Sequence, residues 1–245
     1  MADISFFHIG STKKTATEKT VENIRTHHPN AYYFLGSDSA ENFSELAIKH
    51  KCDYFHFNNK QGGPTQPYGW DVPNMIEFLN RFRIACLRCN TTHMMMAEDD
   101  VYLTKPVTVE PHWEMACHDV KIGNIIPESV HDMIERFAGK RPTFKQYAGG
   151  GGSIYKVDTF IQNYDRVTTF FLEQGEYIMK NLYPTIGWLD CYMVVYYYLC
   201  GKDYTANPYM TDTHHHVPDF DYDKFISEVP EHIQIINNYK KYYWS

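Results

Sequence analysis

Up to Ala97 the chain alternates two kinds of segment, and this alternation limits the possible fold more than any other feature. Short runs rich in β-branched and aromatic residues read as strands: Ile4 to Ile9 (ISFFHI), Ala31 to Leu35 (AYYFL), Asp53 to Phe57 (DYFHF) and Thr92 to Ala97. Between them lie segments of helical character: Thr15 to His27, ended by Pro29; Ser39 to His50; and Asn74 to Asn90, where Ile76, Leu79, Phe82 and Cys86 recur at helical period. Strands alternating with helices predict an α/β fold, with a mixed, mostly parallel sheet flanked by helices. Ligand sites in such sheets lie at the carboxyl ends of the strands.

The fourth of these strands ends in an unusual way. Residues 94–100 read MMMAEDD, so an apolar run passes directly into three carboxylates, Glu98-Asp99-Asp100. Adjacent acids repel one another, and at a strand end they need compensation. A hard divalent cation supplies it: Mg²⁺ or Mn²⁺ prefers oxygen ligands and needs only one or two protein carboxylates when it also grips phosphates. In extended backbone Glu98 and Asp100 share a face and Asp99 points away. An acidic turn in open solvent is the plainer alternative. His214-His215-His216, followed by a long aromatic segment, is an internal loop that can offer an imidazole to a borderline ion such as Mn²⁺.

The second half is less regular. Gly123 to Ile126 reads as a strand, His131 to Phe137 as a short helix, and Phe160 to Leu182 as a longer one. Four glycines, Gly149 to Gly152, permit a close approach of backbone to a ligand, but they lack the spacing of a phosphate-binding P-loop. Asp190 precedes an apolar run to Cys200. It suits a helix N-cap, or alternatively a general base beside Trp188, whose flat ring suits a sugar.

Bulk properties narrow the class. A chain of 245 residues with 43% hydrophobic and 22% charged residues is expected to form a single domain, residues 1–245. The formal net charge of −7, without a basic stripe, argues against nucleic-acid binding. Cys52, Cys86, Cys89, Cys117, Cys191 and Cys200 form no disulfide or zinc pattern and read as reduced thiols. With no signal peptide and no apolar stretch of about 18 residues, the expected location is the cytoplasm.

The order of these motifs resembles metal-dependent nucleotide-sugar glycosyltransferases of the GT-A fold, nearest to the inverting β-1,4-galactosyltransferase group. The matching elements, in chain order, are Asn80-Arg81 in the helix before the acids, Glu98-Asp99-Asp100, the apolar stretch from Val101 to Pro106, Tyr147-Ala148-Gly149-Gly150, Gly187-Trp188-Leu189-Asp190, and a later histidine. Two departures stand out: the first acid is Glu rather than Asp, and the Gly-Trp element carries one acid where that family has several. The resemblance implies a nucleotide-sugar-binding half, residues 1–106, and an acceptor-binding, catalytic half, residues 107–245. It implies a UDP-linked donor held by Gly10, Ser11, Thr12, Asp38, Arg81, Glu98 and Asp99, with Mn²⁺ or Mg²⁺ on Asp100 and His214 or His216. It further implies a glycan or glycoprotein acceptor against Gly150, Gly151 and Trp188, and Asp190 as base. Proteins of this kind occur in bacteria and large DNA viruses. A sugar nucleotidyltransferase and a non-catalytic carbohydrate-binding module are the competing classes.

Overall fold

Parallel strands covered on both faces need apolar side chains at successive positions, because neither face meets water. The first strand, β1 (Ile4–Gly10), is buried at every residue but Ile9. A computed structural model describes residues 4–10, 14–37, 41–56, 71–98, 101–117, 126–143, 151–182, 189–207, 210–213 and 233–236. β1 pairs in parallel with β2 (Tyr33–Ser37) and with β4 (His93–Ala97), and β2 pairs in parallel with β3 (Asp53–His56). Helices α1 (Lys14–His27), α2 (Ser44–Lys49) and α3 (Val72–Arg88) connect them. α3 begins at an N-cap, Asp71, whose carboxylate accepts the Asn74 N–H at 2.8 Å, and Pro73 lies in its first turn.

The run of three methionines in β4 follows from the same two-sided burial. Met94 and Met96 pack with Phe7, Phe34, Phe82 and Tyr155 on one face, while Met95 and Ala97 pack with Phe6, Tyr33, Leu35 and Ile154 on the other. Successive side chains of a strand point to opposite faces, so an unbroken apolar string serves two cores. The first core is completed by α3, α5 (Val157–Leu182) and α6 (Leu189–Leu199), the second by α1 and α2. Gly175 of α5 lies so near α3 that a Cβ there would fall 2.9 Å from Val72 Cγ2.

Beyond β4 the sheet changes direction. β7 (Ile154–Lys156) runs antiparallel to both β4 and β6 (Met115–Cys117), and β8 (Thr205–Ala206) runs parallel to β6. The order across the seven strands is β3-β2-β1-β4-β7-β6-β8. Helix α4 (Glu128–Ala138) ends at Gly139, whose φ of 70° is the left-handed cap that glycine tolerates. A second sheet has the order β5-β10-β9, formed by Val101–Leu103, Ile233–Ile236 and Met210–Thr213.

The expected α/β architecture, a mostly parallel sheet flanked by helices, is therefore present, with several corrections. β2 starts at Tyr33 rather than Ala31 and runs past Leu35 through Gly36 and Ser37. α2 begins at Ser44 rather than Ser39; ahead of it the Phe43 N–H donates to the Tyr54 hydroxyl at 2.9 Å, tying the segment to β3 instead of to a helix. Asp190 is already helical within α6, so it is not the N-cap. Ile126 belongs to no strand, and residues 123–125 lie outside the described residues. β5 to β10 went unforeseen as strands.

Candidate functional site

Three strands of the large sheet end side by side, and two of the expected residues, Gly10 and Glu98, stand at those ends. In the ladder Gly10 lies opposite Ser37, Ile9 opposite Gly36, and His8 opposite both Leu35 and Ala97. Gly10, Ser37 and Glu98, the residue after β4, thus stand at neighbouring carboxyl ends. Gly10 is crowded: a Cβ there would lie 2.9 Å from Phe43 Cε2 and 3.0 Å from Thr17 Cγ2, so packing against Phe43 and Thr17 of α1 alone accounts for the glycine. The Ser37 hydroxyl donates to the Glu41 carbonyl at 2.5 Å and closes the chain on either side of residues 38–40. Below this rim, His8 is fully buried with Nδ1 2.8 Å from the Tyr33 hydroxyl.

The glycine run meets the acids directly. The Gly152 N–H donates to the Met96 carbonyl at 2.7 Å, and the Met96 N–H donates to the Ser153 carbonyl at 2.8 Å. Two residues of one strand thus oppose one of its neighbour, with Gly152 at φ 90°. This is a G1 β-bulge, which requires glycine at that position. The bulge brings Gly151 against the strand end, where a Cβ would fall 2.7 Å from Val101 Cγ2 and 3.0 Å from Glu98 Cβ. Glu98 is half-buried, and its carbonyl accepts the Val101 N–H at 3.0 Å. Ser153 is fully buried, and its hydroxyl has no hydrogen-bond partner among the described residues. The positive φ needed at Gly152 explains the composition of this run at that point, a signal that sequence alone cannot distinguish from a flexible linker.

The small sheet organises what flanks the acids. β10 pairs antiparallel with β5, placing Ile235 opposite Val101, and parallel with β9, placing Ile235 opposite Asp212 and Ile236 opposite Thr213. Val101 is the first residue after the acids, and Thr213 is the last before the histidines. Both stand at the same end of this sheet, with one strand between them. Two strand spacings put their backbones about 10 Å apart. The outer edge of β5 is completed by a side chain: Asn23 of α1 donates to the Leu103 carbonyl at 3.0 Å and accepts its N–H at 2.7 Å.

Arg81 lies in the middle of α3. It is 1% exposed and its guanidinium is bonded to Glu77, one helical turn earlier. It also lies nine residues along α3 from Val72, about 14 Å at the helical rise. Two other arginines of this helix are engaged as well: Arg83 stacks over the Tyr164 ring at 4.3 Å, and Arg88 pairs with Asp53 at 2.7 Å. Ser11, Thr12, Asp38, Asp99, Asp100, Gly150, Trp188, His214 and His216 lie outside the described residues, and of Asp190 only the helical backbone is described.

Among the described residues, one other group could hold a cation: Glu18, Glu22 and His50. The sequence reading missed it, although two glutamates spaced four apart on a helix were visible. Lys49 donates to Glu18 at 3.0 Å and to Glu22 at 2.8 Å, so the cluster already has its cation. The hydrogen bond from Lys49 holds the Glu22 carboxyl below its usual range, and burial lowers that of His50. Cys52, Cys86, Cys89, Cys117 and Cys200 are free thiols. No helix among the described residues is long and apolar enough to cross a membrane.

No protein-family model matches the chain, and no curated protein matches its sequence. Among solved structures, a galactosyltransferase, LgtC, in complex with donor and acceptor sugar analogues aligns over 96% of this chain and 87% of its own, with a TM-score of 0.53 and 9% identity. At that identity the likeness is one of fold. The molecule is a mixed α/β domain of GT-A-like, Rossmann-like architecture, with Glu98 directly after a central strand of its mostly parallel seven-stranded sheet.

Proposed function

We propose that this chain is a glycosyltransferase that moves a sugar from a nucleoside diphosphate sugar, UDP-linked, to a hydroxyl of a glycan or glycoprotein. The observation that carries this reading is the common end of the small sheet from which the chain runs into the acids on one side and the histidines on the other. A carboxylate and an imidazole reaching from backbones about 10 Å apart can share one ion. The oxygen and nitrogen donors at hand suit Mn²⁺, with Mg²⁺ the alternative. Asp100 and His214, or His216 in its place, would hold it. Bound there, the cation would offset the charge of the donor's diphosphate as the sugar departs.

The remaining roles belong to the protein. Gly10, Ser11, Thr12 and Asp38 follow the ends of β1 and β2 and contact the nucleotide. Glu98 and Asp99 accept hydrogen bonds from ribose or sugar hydroxyls. Gly150 and Gly151 border the acceptor, and Trp188 stacks on its ring. Asp190 takes the proton of the acceptor hydroxyl as that oxygen bonds to the anomeric carbon. The bond from that carbon to the diphosphate breaks with its electron pair leaving on the nucleotide, and the configuration inverts.

Calorimetric titration with UDP, with and without Mn²⁺, tests the core of this reading. Wild type should bind UDP only with the metal, and Asp100→Ala should abolish that requirement along with the affinity. Metal-independent UDP binding, equal in the variant, would refute the assignment. Asp190→Ala should leave UDP binding intact and slow transfer by about 10²–10⁴-fold; undiminished transfer would remove Asp190 from the chemistry.

A further inference from the structure

We infer that β10, Ile233–Ile236, is the positioning element of the cation site, although it supplies no ligand to it. The inference rests on the function proposed above. β5 and β9 do not pair with one another; the sheet order is β5-β10-β9, and among the described residues β10 is the backbone ladder that joins them. At their other ends the two outer strands are anchored independently. β5 is tied to α1 through Asn23 and Leu103. β9 follows a segment held to the large sheet, where the Asn207 N–H donates to the Cys117 carbonyl at 2.7 Å. What sets the spacing between the start of β5 and the end of β9 is therefore the strand inserted between them. That strand comes from the C-terminal part of the chain, far in sequence from the acids and beyond the histidines.

Two consequences follow from chemistry. A central strand uses backbone groups on both edges, so proline within it removes a ladder donor whichever neighbour that donor serves. And coupling is reciprocal: if docking of β10 raises affinity for the cation, bound cation must stabilise docking of β10 by the same factor. The wild-type chain can thus be interrogated without mutation.

Backbone hydrogen exchange of the full chain, followed by mass spectrometry, gives that reading. Adding Mn²⁺ with UDP should slow exchange of the amides in 210–213 and 233–236. Ile235→Pro should weaken Mn²⁺ in a direct titration by about tenfold or more, the scale at which groups supporting metal ligands act. Ile235→Val, which keeps the ladder, should bind as wild type does. If Ile235→Pro does not fold, the wild-type exchange arm decides by itself. Unchanged exchange in 233–236 while Mn²⁺ and UDP demonstrably bind, or wild-type Mn²⁺ affinity in a folded Ile235→Pro, would overturn the role of β10 and leave the transferase reading standing. Absence of any metal-dependent UDP binding by wild type would instead overturn both.

Discussion

The two sheets of this molecule are built on different principles. The central strands of the large sheet are covered on both faces, and successive side chains feed two separate cores. The small sheet is assembled from three short segments widely separated in sequence, and it depends on the side chain of Asn23 to finish one edge. The first holds its shape through packing that a bound ligand does not alter. The second places the flanks of the candidate site through a few backbone ladders, which a ligand can tighten or loosen. The transferase proposed above would need both: a fixed rim for the donor, and an adjustable segment that completes the site.

The sharpest way to break this comparison is to weaken each sheet in turn. Phe82 is fully buried and meets Phe7, Tyr155 and Phe160 edge-on, with ring centroids 5.0, 6.0 and 4.8 Å away. Phe82→Ala removes these contacts at the junction of sheet and helices and should cost about 3–5 kcal/mol in denaturant unfolding. Ile235→Pro should cost far less in the same measurement while weakening Mn²⁺. Equal costs would mean that the small sheet is as much part of the folding core as the large one.

Gly151 stands where the two regions meet. A methyl group there would lie 2.7 Å from Val101 Cγ2 and 3.0 Å from Glu98 Cβ, closer than real contacts allow. Gly151→Ala should therefore destabilise by about 1–3 kcal/mol, the usual cost of overpacking, and push on the start of β5 and on Glu98 together. Adding Val101→Ala vacates the nearest obstacle and should return part of both the stability and the metal-dependent UDP binding. Because the two residues touch, the cycle should be non-additive. Additive costs would show that the chain adjusts elsewhere and that Gly151 does not seat Glu98.

Legibility in the sequence divided along the same line. The repeated strand–helix alternation up to Ala97 carries its own local signals, and Glu98 follows β4 where the pattern put the strand's end. The later strands are short and borrow their conformation from partners. Met115–Cys117 and Val101–Leu103 become strands because β7 and β10 pair with them, a non-local cause that no periodicity over three residues reveals. At Arg81 the motif was visible, while its burial and its ion pair with Glu77 were not. Gly152 was visible as one of four glycines, while the bulge that demands it depends on Met96 across the ladder. Propensity reads elements that stand by themselves and loses those that tertiary pairing imposes.

The most gradual effect expected is one of pH, and it falls at the seam between the two sheets. His28 follows α1 and its Nε2 accepts the Val107 N–H at 2.8 Å, beyond β5, with the Phe6 ring 5.1 Å away. Burial, and secondarily the neighbouring His27, pull its pKa from 6.5 down to about 4. The neutral ring is the one that fits, since a protonated Nε2 has no lone pair for Val107. A histidine whose folded pKa is lowered contributes stability in full above its unfolded value. As pH falls from about 6.5 toward about 4 the unfolded chain takes up a proton that the folded chain refuses, and that contribution is lost. His28→Gln offers an acceptor that does not titrate. The stability of wild type relative to this variant should be level above about pH 7 and decline steadily toward pH 4. A difference that stays constant across that window would show that His28 is protonated in the folded chain as readily as in the unfolded one, and that the seam does not depend on its neutral form.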